Sequence, residues 1–186
     1  MNQASNKLQQ VAGALGLSNL YKMQASTGVV FDTIPGNVTR GTFFAGVSKR
    51  TVPFTNLTDN RFEQNEALLV EAIAIYLTAT DAATGPNAIA PTNPPVNIRA
   101  NLKVANSVVL KDILLGSTIA QGNTFKIQAA AQYNSVYYIK PGIVIPPNLT
   151  FEVDFESDTV LGDAEDVRIG CVLYGTRVLT NLGNSI

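Results

Sequence analysis

No histidine and no tryptophan occur among the 186 residues, and cysteine occurs once. The missing histidine removes the commonest general base, proton shuttle and transition-metal ligand together. A single cysteine cannot close an internal disulfide, and without histidine it cannot build a zinc site. Cys171 falls in an apolar strand pattern, which predicts a small buried hydrophobe rather than a reactive thiol. Charge is scarce too. Only 15% of residues are charged and the net charge is −1, against about 25% charged residues in ordinary soluble domains. Lysine and arginine are scattered singly, so the clustered cations of a sequence-independent nucleic-acid binder are missing. No apolar run reaches the roughly 18 residues of a membrane-crossing helix. The start, Met1-Asn-Gln-Ala-Ser-Asn-Lys7, lacks a charged region followed by an apolar one, so no secretory signal is expected. The G-x-S-x-G, P-loop and dinucleotide-binding fingerprints are also absent. Together these absences point away from an enzyme and from any bound cofactor.

What is present is β-sheet texture. The stretch Tyr137–Glu156 organises the chain. In its second half Leu149, Phe151, Val153 and Phe155 alternate with Thr150, Glu152, Asp154 and Glu156. A period of two is a strand with one buried and one wet face. Pro146 and Pro147 cannot donate to a sheet ladder, so the preceding run Ile143–Ile145 must end there. Strand, rigid corner, strand is how a chain passes from one sheet of a sandwich to the other.

Residues 1–24 read as a short helix or arm. Leu8, Val11, Ala12 and Leu15 form one apolar stripe at helical spacing. A helix this short, weakened by Gly13 and Gly16, orders only against something else. That support is either its own domain, a neighbouring subunit or a lipid surface. From residue 25 the chain reads as one β domain to residue 186. Val29–Ile34, Thr42–Val47 and Thr51–Thr55 are short strand candidates, and a long strand starts near Leu68, apolar on both faces except at Glu71. Residues 80–95 form a long Pro- and Ala-rich loop. Asn97–Val104 and Val108–Ile113 form a hairpin. A strand around Phe125–Ala129 follows, then Val136–Ile145 with a break expected at Pro141-Gly142. Residues 157–166 form an acidic loop. Val167–Leu179 closes the series, with Gly170 and Gly175 as bulge or bend positions. Eight or more strands without interleaved helices mean a sandwich or barrel.

Candidate chemistry is sparse. Glu152, Asp154 and Glu156 share one strand face, but a glycoside hydrolase needs two carboxyls flanking a sugar, usually with stacking aromatics. Asp154, Glu156 and Asp158 are weak candidates for calcium, and the EF-hand spacing is missing. A solvated acidic face is the simpler account. Three Asn-x-Thr sequons, at Asn37, Asn56 and Asn148, fit β-turn composition. For a carbohydrate-binding module, Tyr133, Tyr137 and Tyr138 are the available stacking cluster.

The corner Gly142-Ile-Val-Ile-Pro-Pro-Asn-Leu-Thr-Phe-Glu-Val153, the closing run Val167-Arg-Ile-Gly-Cys-Val-Leu-Tyr-Gly-Thr-Arg-Val178 and the early run Asn65–Ile75 resemble the single jelly-roll major capsid proteins of small icosahedral viruses, especially tailless bacteriophages. The resemblance spans residues 28–179. It departs from many of those proteins in lacking a basic N-terminal arm. It implies an all-β, eight-stranded antiparallel jelly roll with a short N-terminal helix or arm. It also implies a structural virion protein, made in the host cytoplasm, that self-assembles into an icosahedral shell. The partners implied are capsid neighbours, with other virion proteins or an internal membrane beside them, and no direct sequence-specific nucleic acid. Leu8, Val11 and Leu15 would then be the assembly arm. The physics of composition agrees: a face poor in ions loses little solvation when buried against a copy of itself. A phage spike or fibre domain, or a carbohydrate-binding sandwich, is the alternative.

Overall fold

The computed structural model describes residues 3–47, 54–81, 85–87, 98–114, 124–127, 130–133, 135–158 and 167–180. In chain order these hold helix α1 (Gln3–Leu15), a single 3-10 turn (Leu20–Lys22), and strands β1 (Gln24–Pro35), β2 (Arg40–Phe43), β3 (Glu66–Asp81), β4 (Gly85–Asn87), β5 (Ile98–Val104), β6 (Ser107–Leu114), β7 (Thr124–Ile127), β8 (Ala130–Tyr133), β9 (Ser135–Ile145), β10 (Phe151–Ser157) and β11 (Val167–Leu179).

Eight of these strands make two antiparallel sheets. The first runs β1-β11-β3-β9 and the second β2-β10-β5-β6; β4 extends the first sheet at the end of β3, and β7 pairs with β8 apart from both. The chain alternates between sheets at nearly every step and closes with its last strand inserted between the first and third. This is the jelly-roll order, two interlocked Greek keys. The two inner faces meet in one core. Val30, Leu68, Ile73, Leu173 and Cys171 come from the first sheet, and Phe43, Ala100, Leu102, Ile113, Phe151 and Val153 from the second. Its centre is aromatic: Phe43 lies 5.1 Å from Phe155, and Phe62 stacks on Phe151 at 5.2 Å.

The corner does what the prolines predict. β9 ends at Ile145 in the first sheet, and β10 starts at Phe151 in the second. Asn148 turns the chain at φ 61, its N–H donating to the Phe62 carbonyl. Leu149, expected inside with Phe151, is instead exposed, because it sits in this turn before the alternation begins. β5 and β6 are joined by Ala105-Asn106, both at positive φ, which is the two-residue hairpin turn whose twist matches that of the strands. β2 is shorter than Thr42–Val47, ending at Phe43 because Phe44 takes φ 68; the buried Asp32 carboxylate accepts the Phe44 N–H at 2.7 Å. The expected strand Thr51–Thr55 falls mainly outside the described residues, and Thr55 makes an isolated bridge to Asp32. The break predicted at Pro141-Gly142 shows in the pairing and not in the strand: Tyr138 pairs with Ala72 and Ile143 with Val70, so residues 139–142 have no partner in the ladder to β3. β9 itself continues because, among the described residues, it pairs with β3 alone, and an edge strand tolerates proline. On β3 the same interruption falls between Val70 and Ala72, at Glu71.

Candidate functional site: the outer face of the helix-bearing sheet

The long strand β3 is apolar on both faces because both are covered in part. One face meets the second sheet. On the other lies α1. Val11 and Ala12 are buried against Ala67, Leu69 and Val178, with Leu8 and Leu15 half-buried beside them. The predicted stripe is therefore brought together, on the chain's own first sheet. This second cluster shares no residue with the sandwich core. The helix carries no acidic residue in its first turn and no basic residue in its last, so its dipole is not offset by charge. It ends where Gly16 turns at φ 66 and Leu17 N–H donates back to the Ala12 carbonyl, a left-handed cap that glycine supplies without strain. Docking, at about 1.5–3 kcal/mol for a buried valine side chain, holds the helix in place. Two polar contacts fix its register. Lys7 Nζ pairs with Glu71 at 2.7 Å, and Gln10 Nε2 donates to the Gly142 carbonyl at 2.7 Å. The ion pair is partly exposed and contributes at most about 1 kcal/mol.

Glu71 sits at the pairing skip of β3, where a second irregularity, between Tyr174 and Gly175, shifts β11. Thr176 Oγ1 donates to Glu71 Oε2 at 2.9 Å. Beyond these residues no described element covers the sheet. Across the four strands Val29, Tyr174, Ala72 and Tyr138 lie in one register row. Tyr138 is 70% exposed and Tyr174 42%. Between the helix and this row is a shallow groove of about 850 Å³, lined by Lys7, Glu71, Ala72, Tyr138, Tyr174 and Thr176, with Lys140 at its end.

The carboxylates named from the sequence lie on the other sheet. Asp154 is bound by Lys103 and by the Thr42 hydroxyl, and Glu156 by Arg40 at 2.5 Å. The hydrogen bond that Lys103 donates to Asp154, then the charge of Asp154, raises the Lys103 pKa above its ordinary 10.5. Asp158 is exposed just past the end of β10. Cross-strand cations thus take up the first two acids, and among the described residues no three His, Cys, Asp or Glu side chains cluster as a metal site. Cys171 is buried in the core, and desolvation, then the charge of Asp32, pushes its thiol well above 9.0. Tyr138 reaches the groove, and Tyr137 points to the other face opposite Ile73. Sequence reasoning missed Tyr174, Lys140 and Thr176. The alternation Ile169, Cys171, Leu173 places Tyr174 on the outer face, but only the register against β3 sets it opposite Tyr138. Among the described residues, no helix is long and apolar enough to cross a membrane.

No protein-family model matches the chain. No curated protein matches its sequence. Among solved structures it is similar to a chain of turnip yellow mosaic virus, at 12% identity and TM-score 0.36, covering 84% of this chain and 93% of that one. It is similar to one of Desmodium yellow mottle tymovirus at 9% identity and TM-score 0.33, covering 86% and 87%. A chain of cocksfoot mottle virus matches at 9% identity and TM-score 0.33, covering 85% and 96%. At these values the fold rests on the strand order itself.

Proposed function

We propose that this chain is the building block of an icosahedral virus shell, a single jelly-roll capsid protein of a tailless bacteriophage or a related virus. It is made in the host cytoplasm and resides in the virion. The observation that carries this reading is the architecture: a stiff two-sheet jelly roll with a helical N-terminal segment that lies outside the core. Such a unit suits repeated heterologous contacts, in which unlike patches of identical subunits meet until the shell closes. The scarcity of charged groups supports it, since few ions need desolvation at the contacts. Residues 1–24 are the assembly arm, with Leu8, Val11 and Leu15 as its apolar stripe. In the free chain the stripe lies on its own sheet; in the shell it fits the same sheet face of a neighbour, an exchange of identical elements that costs no contact. Other virion proteins or a lining bilayer border the shell on this reading, because the arm carries only Lys7 and Lys22 and cannot gather a genome by charge. Electron microscopy of the chain expressed alone tests the proposal. Closed particles of uniform diameter are expected, and a field of dispersed subunits at every concentration and salt condition would overturn it.

A further inference from the structure

The groove on the outer face of the first sheet is not explained by shell building. Its chemistry is mixed. Two tyrosines stand on β9 and β11, and the small side chain of Ala72 on β3 lies between them in the same register row. Two strand spacings set the tyrosine backbones about 10 Å apart, the advance of two linked hexose rings. The walls supply hydroxyl and carboxylate groups, from Thr176 and Glu71. An exposed aromatic pair with polar neighbours on a shallow floor suits a ligand that has both apolar faces and hydroxyl edges. A sugar ring has this character, since its axial C–H groups pack on an aromatic face while its hydroxyls pair with the rim. The Lys7–Glu71 pair is partly exposed, and a purely apolar partner would strip its remaining water while offering no bond in return.

The charge of the groove narrows the class. Lys7 and Glu71 neutralise each other at 2.7 Å. Lys140 follows Tyr138 by two residues, is exposed, and forms no ion pair or hydrogen bond with another described residue. One cation without a partner among the described residues, beside the stacking pair, matches one carboxylate. A chain sulfated on every ring would bring several anions to a single lysine and leave most of them unmatched.

We propose that this groove binds a carboxylate-bearing oligosaccharide. Tyr138 and Tyr174 stack two hexose rings across Ala72, Thr176 and Glu71 pair with ring hydroxyls, and Lys140 holds the carboxylate. The site does not rest on the assembly reading, since all its residues belong to one chain.

Titration calorimetry tests it with a β-1,4-linked tetrasaccharide of three glucose units and one terminal glucuronic acid, which carries a single carboxylate, and with its methyl ester, in which the sugar is the same and the negative charge is masked. Wild-type protein should bind the acid at least tenfold more tightly than the ester. Tyr138→Ala and Tyr174→Ala should each weaken binding of both forms by tenfold or more, while Tyr138→Phe keeps it. Lys140→Gln should abolish the preference for the acid and leave the ester unchanged. Tyr21→Ala, at a tyrosine that is fully exposed and lies outside the groove, should change nothing. Circular dichroism and Tm confirm that each variant is folded; Tyr138 and Tyr174 are exposed, so their truncation spares the core. The proposal is overturned if wild-type protein shows no saturable binding of either form, or if both tyrosine variants bind like wild type. It is equally overturned if those variants alter only the mass of the assembly and not sugar binding, which would make the face a contact between copies.

Discussion

Gly175 stands where β11 shifts against β3, directly opposite Gly28 on β1. A Cβ there would lie 1.8 Å from the Leu69 carbonyl oxygen, which is backbone and cannot yield. The glycine is therefore needed for close approach of the two strands, a stricter demand than the bulge or bend position read from the sequence. Gly175→Ala should destabilise the fold by about 3 kcal/mol or more, the upper range for overpacking, read as a lower urea midpoint at unchanged slope. Gly170 was marked by the same logic, yet the β11 ladder passes it without a shift. Composition cannot tell the two apart, because the difference lies in what the partner strand presents. Cys171 gives a second residue-scale prediction. Burial favours its neutral form, so the folded pKa lies above 9.0. Folding stability is then unaffected below that value and falls as pH rises beyond it, since the unfolded chain releases the proton and the folded one retains it. A thiol reagent at neutral pH should leave the native protein unlabelled and react fully once urea unfolds it. Prompt labelling of the native state would place the thiol outside the core.

At the scale of elements, legibility follows locality. β11 was read to its limits, Val167–Leu179, because a β-rich apolar run between an acidic loop and a polar tail is bounded on both sides. The passage from β9 to β10 between sheets was legible from two prolines. β9 was legible in part: its ladder to β3 is interrupted around Pro141-Gly142 as read, but that the strand continues past it depends on its edge position, a fact of tertiary pairing. The acidic face of β10 was also legible, but its partners Arg40, Thr42 and Lys103 come from β2 and β5. Sequence spacing shows which side chains share a face and not what stands beside them. Helix α1 is the clearest case. Its stripe was readable, its support was not. Because its cluster and the sandwich core share no residue, removing residues 1–15 should keep the β circular dichroism. It should lower Tm by roughly 2–4 °C for each kcal/mol lost. Loss of the cooperative transition would show instead that the helix is part of the folding core.

The whole molecule is a jelly roll whose inner surfaces are spent on a single aromatic-centred core and whose outer surfaces differ. The second sheet presents ion pairs on β10; the first carries a docked helix and an open tyrosine row. The fold class was legible because strand count, turn spacing and the corner agree with one another. The groove was not, since it exists only once β3, β9 and β11 are in register. On the proposed reading, an asymmetric unit with a helix on one face and few ions to desolvate presents unlike surfaces to its copies. Light scattering behind a sizing column, over a wide range of loading concentrations, tests that claim most directly. The account predicts a discrete species many times heavier than the 19.8 kDa chain, growing at the expense of free subunits as concentration rises. A single peak that stays at the mass of one chain throughout would contradict it.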